Sequence, residues 1–502
     1  MSIQGRVQEK KACLGCGADV SAQRRYKTAQ GQYYCERCYA QAQGKHSQQP
    51  SPKPQNTSAE RSEPPDRAFS RALGLVSLIT CPHCWHAFPP AQILWVSQHH
   101  DLLGDPVLGP EKARRFLPSR FNPDGNAIDA HGLACQVLGC PRCHLPIPRS
   151  LVETEPLFIS IIGGPKTGKS YFLASMMWEL RQKMPSEFAL AFNDADTVSN
   201  QVLNEYEATL FLPEDPDRLA AIRKTELEGD LYDQVNIGGQ IVSLPRPFLF
   251  NIRPTDRHPQ AGKRNNFSRV ICLYDNAGEH FQPGMDRAGS PVTQHLAKSR
   301  ALMFLFDPTQ DPRFRELCRG LSHDPQLMGV RNTQRQETLL IEASLRVRRY
   351  ANLPSNAKHP RPLVVIVPKS DVWAGLLNGE DLTSSPILPD VVSSGIAGLD
   401  CGRIERVSGK LRQLLLRWTP ELVAAAEDFC EHVIYIPVSA LGVSPEEAPI
   451  GDDKSGLFVR PKSIAPRWVT VPILYMFAKW ASGLIAGNTA PAHAVARPAA
   501  ET

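Results

Sequence analysis

No stretch of the 502-residue sequence is apolar enough to cross a bilayer; the nearest, residues 471–486, is broken by Lys479. The first twenty residues are polar and hold no apolar signal-peptide core, so a cytosolic protein is expected. Charge of one sign is also scarce. The 56 basic and 51 acidic side chains leave a net charge of only +5, evenly spread, which argues against nucleic acid or an anionic membrane as partner. The run QRRYK at residues 23–27 is too short to build a basic, aromatic nucleic-acid face. What remains, 42% hydrophobic and 21% charged, is an ordinary globular composition with room for two or three domains.

Cysteine is the exception. Eight of the 13 fall in C-x-x-C pairs, a pattern that in a cytosolic chain points to zinc rather than disulfides. Cys13 and Cys16, then Cys35 and Cys38, are separated by 18 residues. Each pair fits one tight knuckle, and two knuckles supply the four sulfurs of a closed, structural Zn²⁺ site. A module of about 40 residues buries too little apolar surface to fold alone, so the metal would supply most of its folding energy. Residues 41–67, rich in Pro, Ser and Gln, read as a linker. A second set, Cys81, Cys84, Cys140 and Cys143, repeats the form C-P-x-C across a 55-residue gap. It is expected to hold a second Zn²⁺, with His83, His86, His144 and Cys135 as bystanders.

The stretch LFISIIGGPKTGKSYFLASMMWEL, residues 157–180, organises the rest. An apolar strand leads into G-x-x-x-x-G-K-S, with Gly163, Gly168, Lys169 and Ser170 at the fixed positions. Phe172, Leu173, Met176, Met177 and Leu180 follow at helical spacing. Glycines let backbone N–H groups turn in around a phosphate, and the helix aims its positive end at the same charge. Lys169 is expected to reach the β- and γ-phosphates, Ser170 to ligate Mg²⁺, and the lysine to face solvent when the loop is empty.

Downstream, RVICLYDNAGEH delivers Asp275 from a strand and Gly278 as D-x-x-G, a carboxylate for Mg²⁺ and a backbone N–H for the γ-phosphate. Glu279, with His280 as alternative, sits where a residue could orient the attacking water. The 104 residues between Ser170 and Asp275 imply an insertion; Thr225 is the candidate for joining the magnesium shell, with Thr197 and Thr209 competing. ALMFLFDP ends in Asp307, expected to cap a turn. PLVVIVPKSD ends in K-x-D: Asp371 could accept both N1–H and N2–H₂ of guanine while the Lys369 stem packs across the ring. HVIYIPVSAL offers Ser439 and Ala440 as a loop against the guanine carbonyl.

Taken in order, these motifs resemble the Ras-like P-loop GTPases over roughly residues 157–481. The resemblance implies an α/β fold, a six-stranded, mostly parallel sheet with helices on both faces and nucleotide at the carboxyl ends of the strands. It assigns Lys169 and Ser170 to phosphate and Mg²⁺, Asp275 and Gly278 to Mg²⁺ and γ-phosphate, Lys369 and Asp371 to guanine, and Ser439 and Ala440 to the base edge. The zinc knuckles, the phrase FLFDPT and the closing PRWVTVPILYMFAKW also look, more loosely, like bacterial double-GTPase proteins of conflict or defence systems. The expected organisation is a zinc module at 1–40, a linker at 41–70, a second zinc-ribbon-like module at 71–150, the nucleotide domain at 151–486 and a tail at 487–502. A GTP-hydrolysing switch follows, its zinc modules docking a protein partner, with another GTPase chain as one candidate. Three departures bear on this. Pro368 replaces the asparagine that usually opens N-K-x-D, which loosens guanine selectivity and keeps an ATPase as an alternative. Glu279 replaces the usual glutamine; its charge repels phosphate, which implies slow turnover or a scaffold that binds GTP without useful hydrolysis. Pro165 and Lys166 stiffen and charge the loop.

Overall fold

The computed structural model describes residues 11–28, 30–42, 76–223, 232–275, 294–328, 335–389, 395–451, 454–481 and 483–488. The chain divides into two compact units, 1–63 and 64–502. In the first, an antiparallel pair, Arg25–Lys27 with Tyr33–Cys35, leads into the helix Glu36–Ala42 and carries the first cysteine set.

The second unit is built on a mostly parallel sheet. Its strands in chain order are β1 (Glu155–Gly163), β2 (Leu190–Asp194), β3 (Phe248–Pro254), β4 (Arg269–Asp275), β5 (Ala301–Leu305), β6 (Leu363–Val367) and β7 (Val433–Pro437). The spatial order is β2-β3-β4-β1-β5-β6-β7. The pairs from β4 to β7 are parallel; β2 with β3 and β3 with β4 are antiparallel. Among the described residues the sheet thus has seven strands rather than the expected six. The extra one, β2, comes from the long insertion after the glycine loop and pairs only with β3. Strands β5 and β6 are buried at every position, which is why ALMFL and LVVIV read as unbroken apolar runs.

Helices α1 (Lys169–Glu187), α2 (Gln201–Phe211), α3 (Gln294–Lys298), α4 (Gln336–Tyr350), α5 (Cys401–Trp418), α6 (Pro420–Phe429) and α7 (Val471–Trp480) supply most of the remaining core. The five apolar residues expected on α1, Phe172, Leu173, Met176, Met177 and Leu180, are all fully buried; each contributes about 2 kcal/mol of burial. In α5, Ile404, Val407, Leu411 and Leu415 form the inward stripe, and Asp400 caps the first turn by accepting from Arg403 N–H.

The two faces of β3 and β4 are covered differently. Phe248, Phe250, Ile271 and Leu273 join the helical core. Leu249, Val270, Cys272 and Tyr274, alternating with them, join a second core with Cys81, Cys84, Cys140, Cys143 and the hairpin of Tyr232–Ile237 with Gln240–Pro245. On this half of the sheet one face is therefore covered by the second cysteine module where a helix was expected.

Candidate functional site

β1 delivers the glycine loop at its carboxyl end. A Cβ at Gly163 would stand 3.1 Å from Leu305 Cβ, so a larger residue would have to push β5 aside by a few tenths of an ångström. Gly168 adopts φ +87°, which aims the following N–H groups of α1 into the loop, and Lys166 shares the left-handed conformation at φ 61°. Thr167 closes the turn by donating its hydroxyl to Gly164 O at 2.9 Å.

Lys169 does not face solvent. Its Nζ lies 2.9 Å from Asp275 Oδ1, with the two side chains 10% and 3% exposed. The register explains the meeting: β4 runs parallel beside β1 with Asp275 opposite Ile161, so its last side chain falls at the mouth of the loop. A carboxylate so buried needs a cation, and among the described residues Lys169 is the one at ion-pair distance. Ser170 is half-buried, in the first turn of α1. A carboxylate and a hydroxyl are hard oxygen donors, the set Mg²⁺ prefers. Gly278, Glu279 and His280 lie outside the described residues, as does Thr225. The chain resumes after Thr225 at Tyr232, whose phenol is raised in pKa by burial and, secondarily, by the charge of Asp275 nearby. Of the competing threonines, Thr197 is exposed and Thr209 donates its hydroxyl to Glu205 O at 2.8 Å.

The base-loop residues also meet. Asp371 Oδ1 accepts from the Ser439 hydroxyl, whose oxygen in turn accepts from Gly442 N–H at 2.8 Å. Ala440 O accepts from Ser175 Oγ of α1 at 2.8 Å, tying this loop to the phosphate helix. Lys369, held at φ 59°, turns its ammonium onto Asp307, with Gln326 Oε1 at 3.1 Å. Asp307 caps its turn as expected, accepting from Thr309 N–H at 3.0 Å, but its pairing with Lys369 was not legible in FLFDPT. Gln310 donates to Asp307 Oδ2 and Pro165 O, both at 3.3 Å. These bonds link the Lys369 turn to the glycine loop where Pro368 leaves no asparagine to do so.

The two cysteine sets are gathered. In each, the four sulfurs lie within 4.8 Å of one another. Cys81 and Cys143 sulfurs are 3.7 Å apart, Cys84 and Cys140 3.6 Å, and Cys16 and Cys35 3.8 Å. A tetrahedral ion with bonds of about 2.3 Å needs sulfurs about 3.8 Å apart, so both sets fit Zn²⁺. The long gap of the second set is spanned by short strands. Pro146–Ile147, Leu138–Gly139, Leu94–Val96 and Arg115–Phe116 form one antiparallel sheet that carries the second knuckle, while the first is held in the hairpin of Ile79–Thr80 with Ala87–Phe88. Burial pushes the Cys81 thiol up, while hydrogen bonds from the other three sulfurs pull Cys140 down. In the first set, backbone N–H groups, led by that of Cys35, lower Cys13 to about 6. The bystanders bond elsewhere: His83 Nε2 meets Pro146 O at 3.0 Å, His144 Nδ1 meets Asp105 at 2.8 Å, and Cys135 Sγ donates to Leu133 O.

A third group, His99, Asp101 and His131, also brings donors within 4.8 Å. The rings of His99 and His131 stack at 4.1 Å and 12°, so their lone pairs run side by side rather than converge, and we assign no metal there.

No protein-family model matches the chain. It is 23% identical over 257 residues to a putative ESX-1 scaffolding and assembly protein, SaeC, of Mycolicibacterium smegmatis, covering 48% of this chain and 60% of that one. The chain thus spans less than two thirds of that relative's length. Among solved structures, the signal recognition particle receptor SRb-GTP/SRX complex of Chaetomium thermophilum matches at 13% identity and TM-score 0.22, over 60% of this chain and 93% of that one. The S. cerevisiae Ski7 GTPase-like domain, bound to GTP, matches at 14% identity and TM-score 0.23, over 57% and 43%. Superpositions this loose carry no argument, and the functional reading rests on the site's own geometry.

Proposed function

We propose that this chain binds GTP with Mg²⁺ at the carboxyl ends of β1, β4 and β6, hydrolyses it slowly to GDP and phosphate, and acts as a nucleotide-controlled switch. The observation that carries the reading is the buried pair of Lys169 and Asp275 at 2.9 Å beside a glycine loop that opens α1. That pairing is poised for exchange. When triphosphate enters, Lys169 trades the carboxylate for β- and γ-phosphate oxygens, and Asp275 and Ser170 become free to hold Mg²⁺. Bound Mg²⁺ supplies charge neutralisation at the β- and γ-phosphates. Thr225 and Gly278 are the groups proposed to sense the γ-phosphate. Asp371, steadied by Ser439, accepts from guanine, and Ala440 borders the base edge.

A second reading is a nucleotide-regulated scaffold with no useful turnover. It is favoured by the name of the M. smegmatis relative, which speaks of scaffolding and assembly rather than of conflict or defence, and by the charge of Glu279. In either reading the first cysteine module is the element proposed to dock a protein partner. Single-turnover hydrolysis separates the two. The switch reading expects GTP cleavage on the order of 10⁻⁴ to 10⁻³ per second, not slowed by Glu279→Gln. Tight GTP binding with no cleavage above the uncatalysed rate leaves the scaffold alone standing.

A further inference from the structure

We propose that the second cysteine cluster is a metal-dependent positioning element for Asp275, acting through Trp85 and Tyr274; this rests on the nucleotide reading above. Tyr274 is fully buried in the sheet face beneath the cluster. Its hydroxyl accepts from Trp85 Nε1–H at 3.0 Å and donates to Pro82 O. Both partners belong to the first knuckle, residues 81–85. A buried phenol stripped of them would leave polar groups unsatisfied at a cost of about 1–3 kcal/mol.

The knuckle holds its shape under strain. Trp85 sits at φ 54°, a left-handed conformation that costs a bulky residue roughly 1–2 kcal/mol. Its counterpart His144, at the same place in the second knuckle, sits at φ 60°. Around Cys81 the chain closes through Trp85 N–H to Cys81 O, Cys81 N–H to His86 O, and His83 N–H to Cys81 Sγ. The four buried sulfurs fit one metal ion, whose bonds would sustain that conformation and so the aim of the indole.

Tyr274 and Asp275 are consecutive on β4, and strand alternation sends the first toward the cysteine module and the second toward Lys169. The His295 ring stacks on Tyr274 at 4.9 Å and bonds Ser160 Oγ of β1 at 2.6 Å, so the phenol is held from both sides. Fixing Tyr274 therefore fixes the strand end that presents Asp275. Loss of the metal releases the indole, then the phenol, then the carboxylate.

The test uses the full chain, zinc content, Mg²⁺-GTP and EDTA-GTP affinities, and hydrogen exchange of residues 269–275. Tyr274→Phe keeps ring bulk, Trp85→Phe keeps a smaller aromatic ring without the N–H, and both keep all cysteines. They should retain both Zn²⁺, lose about fivefold in affinity with Mg²⁺ present, and lose none in EDTA, where no ion draws on Asp275 and a looser hold on Lys169 can only favour phosphate. Cys84→Ser should lose one Zn²⁺ and speed exchange in 269–275; Cys13→Ser should lose the other and leave exchange and both affinities unchanged. A parental ratio of Mg²⁺ to EDTA affinity in both Phe variants, or parental exchange in Cys84→Ser, overturns the proposal. Should the parent bind no nucleotide, the site reading fails by itself, and the exchange comparison of Cys84→Ser with Cys13→Ser still decides the coupling.

Discussion

Replacing Lys169 by alanine should do more than abolish triphosphate binding: it should destabilise the free protein. The ammonium is the counter-charge of a carboxylate whose side chain is 3% exposed. Removing one partner of such a pair strands the other, at a cost of about 3–5 kcal/mol; the lysine, 10% exposed, keeps some contact with water, which favours the lower end. For a unit of this size, where 1 kcal/mol moves Tm by only about 1 °C, we expect a fall in Tm of about 3–5 °C in the absence of nucleotide. Neutralising the stranded acid should restore most of it, so Lys169→Ala with Asp275→Asn should melt well above Lys169→Ala although neither binds GTP. Thermal melts of parent, both single variants and the double variant, without nucleotide, give the coupling directly. A Lys169→Ala protein with the parental Tm would show that the pair carries no energy, and the exchange of partners proposed for nucleotide entry would lose its basis.

Purified protein should hold about two Zn²⁺, and Cys13→Ser or Cys35→Ser should lose one and unfold only the first unit while GTP still binds; elemental analysis finding no zinc in protein purified without chelator would contradict this. Asp371→Asn should turn preference from GTP toward XTP by several kcal/mol, since an amide matches the 2-oxo edge; unchanged preference removes Asp371 from the base site. Two buried groups set opposing pH dependences. Burial raises the Glu207 carboxyl from 4.5 to about 7, against the pull of Arg181 at 2.9 Å, and its Oε1 has no hydrogen-bond partner among the described residues. A raised folded pKa means stability present below about 4.5 and lost as pH climbs to 7. Burial lowers His359 from 6.5 to about 4, so its contribution is present above 6.5 and lost as pH falls toward 4. Urea melts at pH 5 and pH 7 should therefore show Glu207→Gln gaining on the parent with rising pH, by at most about 3 kcal/mol; a pH-independent difference refutes the assignment.

Much of the sheet-bearing part was legible because its physics is local. A strand, a glycine loop and a helix lie in one run of sequence, and β5 and β6 announce burial on both faces through unbroken apolar pentamers. Contacts between distant segments were not legible. Asp307 reads as a turn cap from its neighbours alone; that it also meets Lys369 depends on β5 and β6 lying side by side. Lys169 was expected in solvent because the motif speaks only of its phosphate role, whereas a carboxylate as buried as Asp275 needs a cation beside it. The second cysteine set was recognisable from its repeated C-P-x-C, but its place on the sheet was hidden. The only trace was alternation in VICLYD, where Val270, Cys272 and Tyr274 needed cover as much as Ile271 and Leu273 did.

The central claim is guanine recognition at a P-loop despite Pro368, and competition binding tests it most directly. With fluorescent GTP bound to the full chain in Mg²⁺, unlabelled GTP should displace the probe at concentrations at least about a hundredfold below those needed for ATP, as expected where a buried carboxylate is left unmatched by the wrong base. Equal displacement by ATP and GTP would contradict the account and make the site that of an ATPase.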